Sequence, residues 1–210
     1  MARTRRITEE QIADEALALV DAEGLDALTM RALGRRLGVE GMALYTYFGS
    51  KNDLLDAVGT RILSALDTEF DRSLPWQERI RRGALAWAAM QARHPRAFPL
   101  VYRGGVRTRA VPLLTEEMLD ALRVAGFDER GAALAYQSIV VLIDAALLGR
   151  GASTDADLHA AWRYAEETLD RDTFPRFREV APHAATLEWE EILDSGLELL
   201  VNGLERRLQG

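Results

Sequence analysis

The chain contains no cysteine. That excludes disulfides, thiol nucleophiles and cysteine-ligated metal sites, and it fits a reducing compartment, the cytoplasm. Histidine is scarce: His94, His159 and His183 fall on separate segments without metal-ligand spacing. No run approaches 18 uncharged apolar residues, so no membrane span is expected. The arginines of MARTRRITEE lead into acidic residues rather than an apolar stretch, so no secretory signal is expected either. The patterns G-x-S-x-G, H-E-x-x-H, G-x-G-x-x-G and the P-loop are missing. Acid pairs such as Glu116-Glu117, Glu166-Glu167 and Glu190-Glu191 are adjacent, point to different sides of a helix and read as solvated. The chain therefore reads as a non-enzyme with no cofactor and no metal. Lysine is nearly absent. All but one of the 26 basic residues are arginine, which reads as composition bias.

What is present is ordinary globular material: 210 residues, 48% apolar and 28% charged. The net charge of −7 is not that of a generic nucleic-acid binder, but the charges are unevenly placed. Arg31, Arg35, Arg36 and Lys51 fall in the stretch 27–51, whose only acid is Glu40, while the acids of this region cluster between Glu9 and Asp26. A local basic face on an acidic body leaves a polyanionic partner possible.

Nearly every segment has helical periodicity. Thr8 and Gln11 form a capping box ahead of Ile12, Ala16, Leu19 and Val20 on one face, and Gly24 ends that helix. Thr29 caps MRALGRRLG, with Met30, Leu33 and Leu37 on one side and arginines on the other; Gly38 ends it. A very short third helix, MALYTYF, follows, then Ser50 caps a long helix with Leu54, Val58, Ile62 and Leu66 at four-residue spacing. Pro75 fits the first position of the next helix, which runs to His94-Pro95. Gly104-Gly105 and Pro112 mark a loop. Helices at about Leu113–Ala125 and Glu129–Leu148 follow, the second closed by Gly149 and Gly151 and apolar almost all round, hence buried on more than one side. Residues 151–157 and 171–185 are the least regular, and Leu187–Leu208 is the last long helix. The fold class is all-α: three N-terminal helices, a connecting helix and a C-terminal helical bundle. The expected organisation is 1–50, a connecting helix 51–66, and 67–210.

Three helices within 48 residues, the last two joined by a tight turn with Gly38 and Gly41, describe a helix-turn-helix. A seven-residue helix rises about 10 Å, enough to cross a major groove about 12 Å wide. Leu44 and Phe48 lie four apart and pin it, so Met42, Ala43, Tyr45, Thr46 and Tyr47 face outward. Outward tyrosine hydroxyls suit phosphate and base-edge contacts.

The stretch LTMRALGRRLGVEGMALYTYFGSKNDLLDAV resembles the DNA-binding signature of the TetR family of bacterial transcriptional repressors, over about residues 7–60. The later segments HPRAFPLV, Tyr136–Gly149 and GLELLVNGLERRL resemble the tetracycline-repressor subfamily. The resemblance implies that Arg31 reaches a base edge and Thr29 a phosphate. It places Gly41, Met42 and Ala43 at base-contacting positions, Tyr45 and Tyr47 on phosphates or sugars, and Lys51 on a further phosphate. Met42 and Ala43 offer apolar surface to thymine methyls and cannot read hydrogen-bond patterns, so Arg31 carries much of the direct readout. Arg3, Arg5 and Arg6 read equally as a solvated tail or a minor-groove arm. Arg35 and Arg36 read as an exposed face or as phosphate contacts.

The remaining chain has room for a small-molecule effector site inside a bundle. Its candidate lining is Trp87, Met90, His94, Phe98, Tyr102, Met118, Leu122, Tyr136, Ile139 and Ile143, each of which reads also as core. The subfamily binds a drug–magnesium chelate through histidine, and the corresponding VYRGGVRTR has none, so neither tetracycline nor magnesium is carried over. A two-fold operator requires a homodimer, and the resemblance assigns its interface to the helices near 129–149 and 187–208. Leu193, Leu197, Leu200 and Leu204 at helical spacing agree with that, although both helices read also as buried within one subunit. The expected partners are double-stranded operator DNA, an effector and a second copy, with no membrane; the rival reading is a helical protein–protein adaptor.

Overall fold

The protein, seen in a computed structural model, is described over residues 7–103, 108–152 and 155–209. The tail arginines Arg3, Arg5 and Arg6 and the pair Gly104-Gly105 lie outside the described residues. Among those described, all regular structure is helical. The chain divides into two compact units, Met1–Asp71 with Leu85–Glu117, and Arg72–Ala84 with Met118–Gly210.

The first unit opens with α1 (Glu9–Glu23), α2 (Met30–Leu37), a 3-10 turn (Gly41–Thr46) and α3 (Lys51–Leu63). The capping box at α1 is complete: Thr8 Oγ1 accepts from the Gln11 amide at 3.2 Å, and the Gln11 side chain accepts from the Thr8 amide at 3.1 Å. Thr29 Oγ1 accepts from the Ala32 amide at 3.0 Å and starts α2. Gly38, left-handed at φ 71°, ends α2, a conformation that costs other residues about 1–2 kcal/mol. Ser50 caps α3 by accepting from the Asp53 amide. Ile12, Ala16, Leu19, Val20, Leu33, Leu44, Leu54, Val58 and Ile62 are buried together with Phe48. Each large side chain among them contributes about 1.5–3 kcal/mol before ordering entropy is subtracted. The unit also holds the second half of α4 (Trp76–Arg93), a 3-10 turn (Phe98–Tyr102) packed on α3, and the first half of α5 (Ala110–Ala125).

The second unit contains α6 (Glu129–Ala152), α7 (Asp155–Thr168), α8 (Pro175–Ala184) and α9 (Trp189–Gln209), besides the other halves of α4 and α5. α6 packs on α9 and α7 on α8. Leu142 lies over Gly196, where an added Cβ would stand 3.3 Å from Leu142 Cδ1, so the glycine admits the leucine. Arg79, 5% exposed, holds Asp120 at 2.6 Å, and Arg81 pairs with Asp194. Trp76 meets Phe127 edge-on at 6.4 Å.

Several expectations need correction. The segment MALYTYF is not an α-helix but a six-residue 3-10 turn, the form in which very short helical pieces are commonly found. The connecting helix stops at Leu63 rather than 66, with Ser64 capping it. Pro75 precedes α4 instead of opening it, and Pro112 sits inside the first turn of α5 rather than in a loop. α6 runs through Gly149 and Gly151 to Ala152; one glycine costs a helix only about 1 kcal/mol, too little to stop a long apolar one. The two least regular stretches hold the start of α7 and all of α8, where Pro175 supplies the first-turn φ.

α6 is also less buried than its composition suggests: Leu134 is 43% and Val141 65% exposed. Conversely Leu193, Leu197 and Leu204 of α9 are buried within this chain and Leu200 is half-buried, so three of the four leucines at that spacing serve the chain's own core. The large apolar residue that α9 exposes is Leu199, at 72%.

Candidate nucleic-acid interface

Backbone geometry sets the reading surface before any side chain does. The Val39 amide donates to Gly34 C=O at 2.9 Å, folding the chain back from α2, and the Ala43 amide donates to Glu40 C=O at 2.9 Å to start the turn. Gly34 and Gly41 meet backbone to backbone. A Cβ on Gly34 would stand 2.8 Å from Gly41 N, and one on Gly41 would stand 2.9 Å from Met30 O. The Cβ direction of Gly41 therefore points onto α2, and Gly41 serves the approach of the turn rather than side-chain contact with a base. The sequence reading noted Gly38 and Gly41 and missed Gly34, since an isolated helical glycine carries no signal of its own.

Leu44 is fully buried and Phe48 nearly so, which leaves Met42 76% exposed and Tyr45 42% exposed. Ala43 and Thr46 are exposed and Tyr47 is half-buried. Thr46 Oγ1 donates to Ala43 C=O at 2.7 Å. Thr29 is exposed, and its Oγ1 accepts from the Ala32 amide, so its hydroxyl proton remains free to donate. Lys51 is exposed in the first turn of α3, beside amides that α-helices leave unpaired. The turn and its cap Tyr47 thus carry an apolar tip and two phenols shortly before the N-terminus of α3.

The arginines separate into two kinds. Arg31 and Arg35 are exposed and make no ion pair among the described residues, whereas Arg36 is held by Glu15 at 2.5 Å and Glu23 at 3.7 Å. Arg61 pairs with Asp14. Bulk charge is negative, yet the backbone of Arg31 lies against the start of the turn, 3.1 Å from where a Cβ on Gly41 would stand.

The segment 94–103 is tied to α1 and α3 within the same unit. His94 Nδ1 lies 2.7 Å from Asp21 Oδ2, and Arg96 donates to the carbonyls of Ala22 at 2.5 Å and Asp21 at 3.3 Å, capping the end of α1. Arg103 donates to Asp56 at 2.9 Å and to Asn52 at 3.0 Å on α3. Trp87, Phe98 and Tyr102 make an edge-to-face chain with centroids 5.6 and 5.9 Å apart. The sequence reading missed Asp21, Asn52, Asp56, Arg96 and Arg103, because partners separated by 47 to 75 positions leave no spacing signal.

The ten residues expected to line an effector site are divided between the units. Trp87, Met90, His94, Phe98 and Tyr102 lie in the first, and Met118, Leu122, Tyr136, Ile139 and Ile143 in the second. Met90, Phe98, Met118, Leu122, Ile139 and Ile143 are buried, while Tyr102 is exposed. His94 has one ring nitrogen engaged by Asp21, so its Nε2 is the polar atom left for anything else. Among the described residues no His, Asp and Glu side chains gather as a metal site, and no helix is long and apolar enough to cross a membrane.

The same combination occurs in known proteins. Residues 12–58 match the model of bacterial regulatory proteins of the tetR family, and residues 72–208 match the tetracyclin repressor-like C-terminal domain. The chain is 28% identical to the class D tetracycline repressor protein of Escherichia coli, over 97% of this chain and 91% of that one. It is 32% identical to the class A repressor from transposon 1721, also of Escherichia coli, over 91% and 88%. The crystal structure of ActR, a TetR family protein of Streptomyces coelicolor, in complex with (S)-DNPA superposes with a TM-score of 0.75 at 26% identity, covering 94% of this chain and 96% of that one. With a helix-turn-helix matched at one end and a repressor-like domain along most of the remainder, this chain belongs to the TetR family of transcriptional regulators, DNA-binding proteins that respond to ligands.

Proposed function

We propose that this chain is a repressor that binds a palindromic operator as a homodimer and is released by a small-molecule effector. The observation that carries the reading is the turn Gly41–Thr46, anchored by buried Leu44 and Phe48 so that Met42 and Tyr45 face outward. In this reading Arg31 and the tip residues Met42 and Ala43 meet bases, Tyr45 and Tyr47 hold sugars or phosphates, and Thr29 and Lys51 hold phosphates. Gly41 contributes backbone alone, and Thr46 an acceptor. The working division is a reading domain 1–50, a connecting helix within 51–66 and an effector and dimerisation domain 67–210. The protein acts in the cytoplasm, where its DNA lies.

The dimer is proposed to form through α6 and α9. What supports this is the apolar surface those helices leave open, Leu134, Val141 and Leu199, in a protein that must place two recognition turns about 34–36 Å apart. The effector is proposed to act on the aromatic chain Trp87–Phe98–Tyr102. Displacing it shifts the segment 94–103, whose His94, Arg96 and Arg103 hold α1 and α3, and so moves the turn they support. A coupling of about 1–3 kcal/mol releases DNA 5- to 150-fold.

Selection of bound sequences from random DNA tests the reading: an inverted repeat with half-sites one helical turn apart is expected. A pool that enriches nothing, with no mobility shift on any duplex, leaves the adaptor reading in its place.

A further inference from the structure

Within the first unit, α1 and α3 enclose a groove of about 570 Å³ that is lined by none of the residues assigned above to bases or phosphates. Its floor is apolar: Ala13 and Phe48 are buried and Ala57 is half-buried. One wall carries Glu9, Glu10 and Asp14 of α1, and the other is α3, with Thr60 and Arg61. Arg61 pairs with Asp14, whereas Glu9 and Glu10 are exposed and make no ion pair among the described residues. Three carboxylates therefore face one guanidinium, and two of them stand unneutralised over an apolar floor.

A surface of that kind fits arginine, whose aliphatic stem packs on apolar atoms while its planar head forks onto a carboxylate. The chain supplies such a segment beside the groove: residues 1–6, MARTRR, hold three arginines and no acid, and lie outside the described residues. They lead into Thr8, the N-cap directly ahead of Glu9. Six extended residues reach about 20 Å, whereas Glu9 to Asp14 covers about 7 Å of helix, so the segment is long enough to lie along that wall. Two exposed ion pairs favour the arrangement about five-fold, more at low salt than at high.

We propose that the groove between α1 and α3 receives residues 1–6 of the same chain, with arginine heads on Glu9 and Glu10 and arginine stems over Phe48. Duplex DNA competes for those same arginines. The docking is independent of the DNA-reader function proposed above, whereas the competition rests on it. Phosphates attract a cationic segment through a term that also weakens with salt, so docked arginines are withheld from DNA until they leave Glu9 and Glu10. Acids in the first turn of a helix also favour the helix itself, so the effect of removing them has to be compared with and without the arginines.

The test uses the full chain. Because the sequence has no cysteine, Ala2→Cys carries a single nitroxide, and its paramagnetic broadening is read on the amide signals of Ala57 and Thr60. Both signals are expected to broaden at low salt, and to sharpen at high salt or when Glu9→Gln and Glu10→Gln are added, which leave the Thr8–Gln11 capping box in place. Affinity for a mixed-sequence duplex, followed by fluorescence anisotropy at low salt, is expected to rise with the two Gln changes. The rise should be about five-fold per subunit larger with the native arginines than with Arg3→Gln, Arg5→Gln and Arg6→Gln together, since loss of acid alone acts equally in both. Signals that stay sharp, or broadening that survives the Gln pair, overturn the docking and leave the DNA-reader function standing. Broadening of isotope-labelled protein that bears no nitroxide, mixed with nitroxide-bearing protein, gives the groove to a second copy's arginines and overturns the contact within one chain. Equal gains in both arginine backgrounds overturn the competition. Broadening as expected with no binding to any duplex overturns the DNA-reader function and the competition together, and the docking stands.

Discussion

His94 and Asp21 face each other at 2.7 Å across 73 positions of sequence, the histidine following α4 and the aspartate in the last turn of α1. Asp21 is thereby held from its side chain by His94 and from its carbonyl by Arg96. A helix whose other end is a complete capping box is fixed at both termini, and the C-terminal end of α1 is tied to the segment that carries Phe98 and Tyr102.

That relationship gives the first prediction. His94→Ala and Asp21→Asn should each lower stability by about 1 kcal/mol, and a double-mutant cycle by urea unfolding should return a coupling of about 0.5–1.5 kcal/mol. Arg103→Ala should leave operator affinity within a few-fold of wild type yet blunt effector-driven release, measured by anisotropy with and without an active compound. Additive effects in the cycle would show that the contact transmits nothing.

The two adjacent arginines of α2 should behave differently in salt. Arg35→Ala should reduce the slope of log K against log salt by about 2 for the dimer, one phosphate contact per subunit. Arg36→Ala should leave that slope unchanged and lower the melting temperature instead, because its guanidinium holds Glu15 on α1. Titrations between 50 and 200 mM salt, about the range over which phosphate contacts dominate, decide it.

Charging the open face of α6 should split the dimer. Val141→Arg is expected to sediment as a monomer at micromolar concentration with its helical circular dichroism intact, and to lose operator binding at least 100-fold, since one turn alone spans one half-site. A dimeric Val141→Arg protein would place the interface elsewhere.

Acid should weaken the second unit through Asp120. The Arg79 guanidinium, by its hydrogen bond and then its charge, holds the Asp120 carboxyl below the usual aspartate range. A carboxyl lowered in the folded state contributes stability above its unfolded value, near 3.9, and loses that contribution as pH falls through the folded value. Asp120→Asn should therefore be less stable than wild type at pH 7, and the difference should shrink toward pH 3 in urea titrations.

The caps at Thr8, Thr29 and Ser50, the left-handed Gly38 and the buried faces of α1 and α3 were all readable, because each depends on residues within about four positions. The outward set on the turn was readable too: once Leu44 and Phe48 point inward, their neighbours have one direction left. Local pattern misled at Gly149 and Gly151, where a long helix runs on through residues whose own propensity is low. It misled again in α9, where apolar spacing is the same whether a helix faces its own chain or a second copy. Exposure of Leu199 and burial of Leu197 distinguish those cases, and neither is a property of sequence spacing.

What the linear chain determined by itself is the set of short-range commitments: all-α character, helix starts, the tight turn and its exposed tip. These are fixed by hydrogen bonds and φ preferences among near neighbours. Tertiary structure alone decided which cations remain free, how closely Gly34 and Gly41 approach, and that His94, Arg96 and Arg103 reach α1 and α3. Those depend on side chains brought together from distant positions, where the desolvation and pairing of a charge are settled by whatever the fold sets beside it.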